Sequence, residues 1–167
     1  MKKICAILPA AALLAGAATA GTATSGFQVT ATLLSTCSAT ATAVAFPNYT
    51  PGGGQVTANG TISVKCTNTS PFHVALNAGS SAGDSFTQRL MTLASGTATL
   101  QYNLYTSSAF TTVFGDGSGS TSTVGGTGTG LATATTVTVY GRVLDSAANQ
   151  AIAPGSYSDS IFVTVSY

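Results

Sequence analysis

The chain has 167 residues with five Lys and Arg, four Asp, no Glu and a single His, giving a formal net charge of +1. So few charges exclude the basic footprint that a nucleic-acid binder needs. They also leave little electrostatic repulsion to keep copies of the chain apart.

The first 20 residues read as a secretory signal peptide. Lys2 and Lys3 form a basic start, Ile4 to Ala17 a mainly apolar run interrupted by Pro9 and Gly16, and Ala18-Thr19-Ala20 an A-x-A cleavage site. The run is too short and too broken to be a good membrane span. No second long apolar run follows, so the expected product is exported and soluble, without membrane insertion. Cys5 leaves with the signal. In the remaining 147 residues Lys65, Arg89 and Arg142 stand against Asp84, Asp116, Asp145 and Asp159, a net of −1. That length fits one domain with its own core. The polar residues are mostly Thr, Ser, Asn and Gly, and the strong helix formers Glu and Lys are almost absent, which points to an all-β fold.

Behind the loose lead Gly21–Gly26, the apolar residues Phe27, Val29, Ala31 and Leu33 alternate with Gln28, Thr30 and Thr32. This is the period of a strand with one buried face. An amphipathic strand behind a flexible lead is suited to entering a sheet, in its own molecule or in a neighbour. Cys37 to Phe46 is an Ala/Thr-rich extended segment ending at Pro47, and Pro51–Gly54 is a loop. Cys37 and Cys66 are the two cysteines that survive cleavage. In an exported protein a lone pair reads as a disulfide. Closing a loop of that size contributes about 3–4 kcal/mol on the chain-entropy model.

Ile62, Val64 and Cys66 form one face of the next strand, and Phe72, Val74 and Leu76 of another. Asn77 to Asp84 is loop. Leu100, Tyr102 and Leu104 begin a further alternation, Ala109 to Leu131 reads as a long loop or irregular hairpin, and Val137, Val139 and Gly141 form a later strand. After a turn-rich stretch from Asp145 to Gly155, Ile161, Val163, Val165 and Tyr167 alternate with polar or outward residues to the end of the sequence. Short strands spaced by Gly/Pro turns predict a sandwich.

In that order the landmarks resemble the spore coat protein U domain family, which includes the major pilins of archaic chaperone–usher pili. The segments are the first strand ending four residues before Cys37, Ile62–Asn68, Arg89-Leu90-Met91, Leu100–Tyr105, Phe114-Gly115-Asp116-Gly117, Val139–Val143, and Gly155–Asp159 with the closing strand. Ala31 and Phe114 depart from it, standing where a larger apolar residue and a Trp are common. The resemblance implies an incomplete immunoglobulin-like β-sandwich completed by a donated strand. Residues 21–35 would be the N-terminal extension and 36–167 the pilin domain. It implies a PapD-like periplasmic chaperone and an outer-membrane usher as partners, and a homopolymer or a polymer with other subunits at the cell surface, as pilus or coat. Phe27, Val29, Ala31 and Leu33 would enter the neighbour's groove, and Ile161, Val163, Val165 and Tyr167 would border the groove on their own subunit.

Catalytic chemistry has little to work with. A Ser-His-Asp or Cys-His arrangement must pass through His73, which falls out of phase with its strand's apolar face. Asp116 and Asp159 flank turns, where Asp satisfies local backbone donors. Gly125–Gly130 lacks the Lys and helix of a phosphate loop. Arg89 and Arg142 are expected to pair with aspartates or to hold a loop. The sequence therefore predicts no enzyme, cofactor or metal. A monomeric secreted binding module, for example for carbohydrate, whose N-terminal strand completes its own sandwich is the alternative.

Overall fold

The structure is a computed structural model that describes residues 19–167, so the expected signal peptide lies almost wholly outside the described residues. The chain divides at Leu33 into an N-terminal unit and a unit running from Leu34 to Tyr167. In the first, Phe27–Leu33 forms no strand, and its larger side chains stand in solvent.

The second unit is built of eleven strands and one turn of helix. In chain order they are β1 (Cys37–Ala41), β2 (Val56–Cys66), β3 (Pro71–Leu76), β4 (Arg89–Leu93), β5 (Thr99–Tyr105), β6 (Val113–Phe114), β7 (Thr121–Ser122), β8 (Val124–Thr127), β9 (Thr135–Val143), α1 (Ala147–Gln150), β10 (Tyr157–Ser158) and β11 (Val163–Ser166). The stretch Ala109–Leu131, expected as loop or irregular hairpin, thus carries three short strands. The helix sits in the turn-rich stretch, capped by the Ser146 side chain, which accepts from the Asn149 N–H.

One sheet has the order β1-β2-β9-β5-β4-β10, with β6 beside β5 and β7 beside β6; the second is β11-β3-β8. Every pairing is antiparallel except β6 with β7. The two sheets curl over one core in a sandwich-like fold. Ile62, Val64 and Cys66 from β2, Val137, Val139 and Val143 from β9, and Leu100, Tyr102 and Leu104 from β5 meet Phe72, Val74 and Leu76 from β3. The alternation read from the sequence is thus the alternation of burial, because successive strand residues point to opposite faces. Cys37 and Cys66 lie directly opposite each other where β1 pairs with β2, and they are joined as a disulfide.

The inner face of the β2–β9 ladder thins out between Ile62 and the Val56–Val143 pair, where Ala58, Gly60 and Gly141 stand. The segment after β1 drops into that hollow. A Cβ on Gly60 would stand 2.8 Å from Cγ2 of Val44, and one on Gly141 would stand 2.6 Å from Cγ1 of Val44 and 2.8 Å from Cζ of Phe46. The two glycines are therefore sites of close approach rather than of unusual backbone. Gly141→Ala is expected to destabilise the fold by about 1–3 kcal/mol through overpacking. The cost should fall in part in a Val44→Ala background, which removes the nearest clash and leaves that with the Phe46 ring, and urea unfolding of the four variants of this cycle measures the coupling.

Candidate functional site

β1 is the edge of the larger sheet and β11 the edge of the smaller, and the two do not pair. An open apolar groove runs between the segment that follows β1 and the segment that leads into β11. Its first section, about 510 Å³, is walled by Ala41–Phe46 on one side and Tyr157–Val163 on the other, with Ile62, Leu76, Leu104 and Val139 at its floor. A second section of about 610 Å³ continues past Phe46 and Tyr157 to Tyr49, Pro51, Ile152 and Pro154. Val44, Phe46, Met91, Tyr157, Ile161, Val163 and Val165 pack on the core yet remain only half-buried. The core is covered on both sides of this strip and uncovered along it.

The alternating residues of the last strand fall here as follows. Ile161, Val163 and Val165 turn toward the core, while Phe162 points out with 67% of its surface exposed. Tyr167 differs from its neighbours in the series. Pairing with β3 ends at Ser166, opposite His73, and the Tyr167 side chain is 60% exposed and not among the core residues. Phe27, Val29 and Leu33 are 89%, 82% and 89% exposed. The sequence pattern does not mark Val44, Phe46, Met91 or Tyr157 as groove residues. Alternation in Ala43-Val44-Ala45-Phe46 was the signal for the first two, diluted by small neighbours.

The groove's walls are fixed by polar contacts. Asp159, at the entry to the last strand, accepts from Tyr102 Oη at 2.6 Å, from Ser80 N–H at 2.9 Å and from Ser160 N–H at 2.7 Å. Burial, then the bond to Asp159, pushes the Tyr102 hydroxyl far above the ordinary tyrosine range. Asp84 accepts from the Leu90 N–H at 2.6 Å, and burial raises its carboxyl. At the far end Asp145 gathers Tyr49 Oη at 2.6 Å and the backbone N–H groups of Gly52 and Gly54 at 3.1 and 2.9 Å, tying the Pro51–Gly54 loop to the start of α1.

The arginines hold loops, as one of the two sequence expectations had it, but their bonds go to neutral partners. Arg89 is fully buried, donating to Asn103 Oδ1 at 2.6 Å and to the carbonyls of Asn77 and Phe114 at 2.8 and 2.7 Å. Burial lowers its pKa. Arg142 donates to Tyr105 Oη at 3.0 Å and lies 4.9 Å from the ring centres of both Tyr105 and Phe110, pinning the loop after β5. His73 is exposed on the outer face of β3. Asp116 accepts from the Ser118 N–H at 2.8 Å, an ordinary turn bond. Among the described residues no three His, Cys, Asp or Glu side chains converge as metal ligands, and no helix is long and apolar enough to cross a membrane. The arrangement offers an apolar slot of strand width with rigid walls.

The Spore Coat Protein U domain, as a family sequence model, matches residues 23–164. Among solved structures the fold is similar to one chain in the crystal structure of the CsuC–CsuE chaperone–tip adhesion subunit pre-assembly complex from the archaic chaperone–usher Csu pili of Acinetobacter baumannii. The TM-score is 0.58 at 21% identity, covering 81% of this chain and 41% of that one. This chain therefore spans less than half the length of the chain it matches. No curated protein matches its sequence.

The bonds around Asp145 have a pH signature. The Tyr49 hydroxyl first, then the Gly52 N–H, Gln150 and the Gly54 N–H, hold its carboxyl down at about 2, while burial and this same bond push Tyr49 up to about 12. Unfolded, an aspartate titrates near about 3.9. A depressed folded value stabilises the native state above the unfolded value and loses that contribution as the pH falls from about 4 through about 2. Thermal unfolding of wild type should therefore lose stability across that window, and the difference between wild type and Asp145→Asn should shrink there.

Proposed function

The chain belongs to the Spore Coat Protein U domain family, and from that premise we propose that it is a structural subunit of a surface pilus or coat, assembled by donor-strand exchange. The observation that carries this reading is the half-covered strip of core between the segment after β1 and the segment leading into β11. A single extended segment with alternating apolar side chains fits such a slot, and the same chain carries one at Phe27–Leu33. Phe27, Val29, Ala31 and Leu33 are the side chains proposed to enter the neighbour's groove. Ile161, Val163 and Val165 are proposed to border the groove that receives them, and Tyr167, exposed beyond the last pair of β11, to follow them.

The energetics favour a long-lived joint. Burying each large apolar donor side chain contributes about 1.5–3 kcal/mol, and Ala31 less. Backbone bonds along the inserted strand add about 0.5–1.5 kcal/mol each. Affinity from the main chain and register from alternate side chains is the general pattern of β-augmentation. A slip of one residue would aim Gln28, Thr30 and Thr32 into the core.

Before assembly the groove is a hazard, because an open edge over apolar side chains invites aggregation. A PapD-like periplasmic chaperone that lends a strand, and an outer-membrane usher where the exchange occurs, are the proposed partners. Export would depend on residues 1–20. The work proposed for the chain is mechanical, with no catalytic step. The alternative is a monomer whose own N-terminal strand fills the groove, and the size of the purified subunit in solution separates the two.

Deleting residues 21–33 should leave a subunit that forms its disulfide and binds chaperone but cannot donate a strand. Fusing Phe27–Leu33 through a flexible linker after Tyr167 of that form should give a stable monomer without chaperone, measured by light scattering and thermal unfolding. A deletion form that is already a stable monomer with no donor would overturn the reading. Val165→Asp should abolish recovery of the chaperone complex.

A further inference from the structure

We infer that consecutive copies of this chain touch end to end through a second, apolar junction outside the groove, formed on the donor side by Leu34 and Leu131. The inference rests on the donor-strand reading above and specifies a surface that reading does not require. It follows from the length of free chain between donor and domain. Thr36 is already part of the sandwich: its carbonyl accepts from the Thr67 N–H at 3.0 Å, and its own N–H donates to Thr67 Oγ1 at 3.3 Å. Only Leu34 and Ser35 separate it from Leu33, the last proposed donor residue. Three Cα–Cα steps of 3.8 Å allow at most about 11 Å between Leu33 in one sandwich and Thr36 in the next. That is about the thickness of two facing layers of side chains, so the two domain ends must meet.

The end that would be pressed against the neighbour is apolar where it need not be. Leu34 is 78% exposed and Leu131 is 50% exposed. They belong to the same pole. Gly130, next to Leu131, donates its N–H to the Cys66 carbonyl, and Cys66 is joined to Cys37 just past Thr36. The turn around them is firmly tied, with the Thr69 N–H on the Gly128 carbonyl at 2.9 Å and the Gly128 N–H on the Ser70 carbonyl at 2.8 Å. Two leucines on a rigid, nearly uncharged pole fit burial against another protein surface.

The facing surface on the recipient copy follows from strand direction. An inserted strand runs antiparallel to one wall of the groove and parallel to the other, because the segment after β1 and the segment leading into β11 run in opposite directions along it. β11 is the wall with regular strand structure, and antiparallel pairing is the more stable. Leu33 then leaves the recipient at the end bounded by Pro51, Ile152 and Pro154. Leu144, 48% exposed and beside the Asp145 latch, lies at that end too. Leu34 and Leu131 of the donor copy would settle against this Pro- and Leu-bearing end.

The test compares polymers of the full chain carrying Leu131→Ser, Leu34→Ser, or a six-residue Gly/Ser insert between Leu34 and Ser35. The donor and the groove are untouched in all three, so the detergent-resistant ladder that reports donor exchange should persist. Electron microscopy should show the insert lengthening the subunit repeat by about 10 Å, since six flexible residues span about 13 Å. The persistence length of the fibre should fall severalfold for the insert and about twofold for Leu131→Ser. A repeat and a stiffness unchanged in both Leu131→Ser and Leu34→Ser, with the ladder intact, would overturn the junction and leave donor exchange standing. A wild type that forms no ladder would overturn both.

Discussion

Two sheet edges that do not pair set the terms for everything else in this molecule. β1 closes one sheet and β11 the other, and the strip between the segment after β1 and the segment leading into β11 is lined by side chains that belong to the core but are only half covered. A sandwich is stable because each sheet hides the apolar face of the other, and a missing strand leaves part of that face in water. The uncovered face is long, narrow and apolar. On the proposed function, extended backbone fills it first and side chains set the register.

The groove has to keep its width while it is empty, and the contacts along its walls are suited to that. Val44 and Phe46 are seated in the hollow over Gly60 and Gly141, which fixes one wall by packing. Asp159, bonded to Tyr102 and to the Ser80 loop, fixes the other by hydrogen bonds. Arg89 ties the end of β3 to β6 through two carbonyls and to β5 through Asn103. Three bonds satisfy the Arg89 terminal nitrogens while its buried Nε has no partner, so losing any of the three would add to the cost of burying the guanidinium. Rigid walls reduce the ordering cost that an incoming strand would otherwise meet.

The scarcity of charge has a consistent use as well. Of the four aspartates, Asp145 and Asp159 bind backbone N–H groups of loops distant in sequence, and Asp84, in a loop, binds that of Leu90 in β4. Each carboxylate satisfies several donors at once, which lets Gly- and Ser-rich loops hold a shape that their own composition would not give. The outer surface is left to Thr, Ser and Asn. A surface so close to neutral does not oppose the packing of like copies.

Much of the fold was legible in the sequence. Ile62, Val64 and Cys66, Phe72, Val74 and Leu76, Leu100, Tyr102 and Leu104, and Val137 and Val139 alternate along the chain because strands bury every second residue, and those are the core. The lone cysteine pair and the exclusion of charge-based function were equally local readings. Other features depended on which distant segments come together. No spacing announces that Gly60 and Gly141 face Val44 and Phe46, or that Arg89 is buried against Asn103 and two carbonyls, since those partners are remote in sequence. Tyr167 continues the alternation on paper yet lies in solvent, because its strand's pairing with β3 stops one residue earlier. Periodicity determines which face of a strand is apolar. Only the tertiary arrangement decides whether that face is covered, and here it leaves one strip of it open.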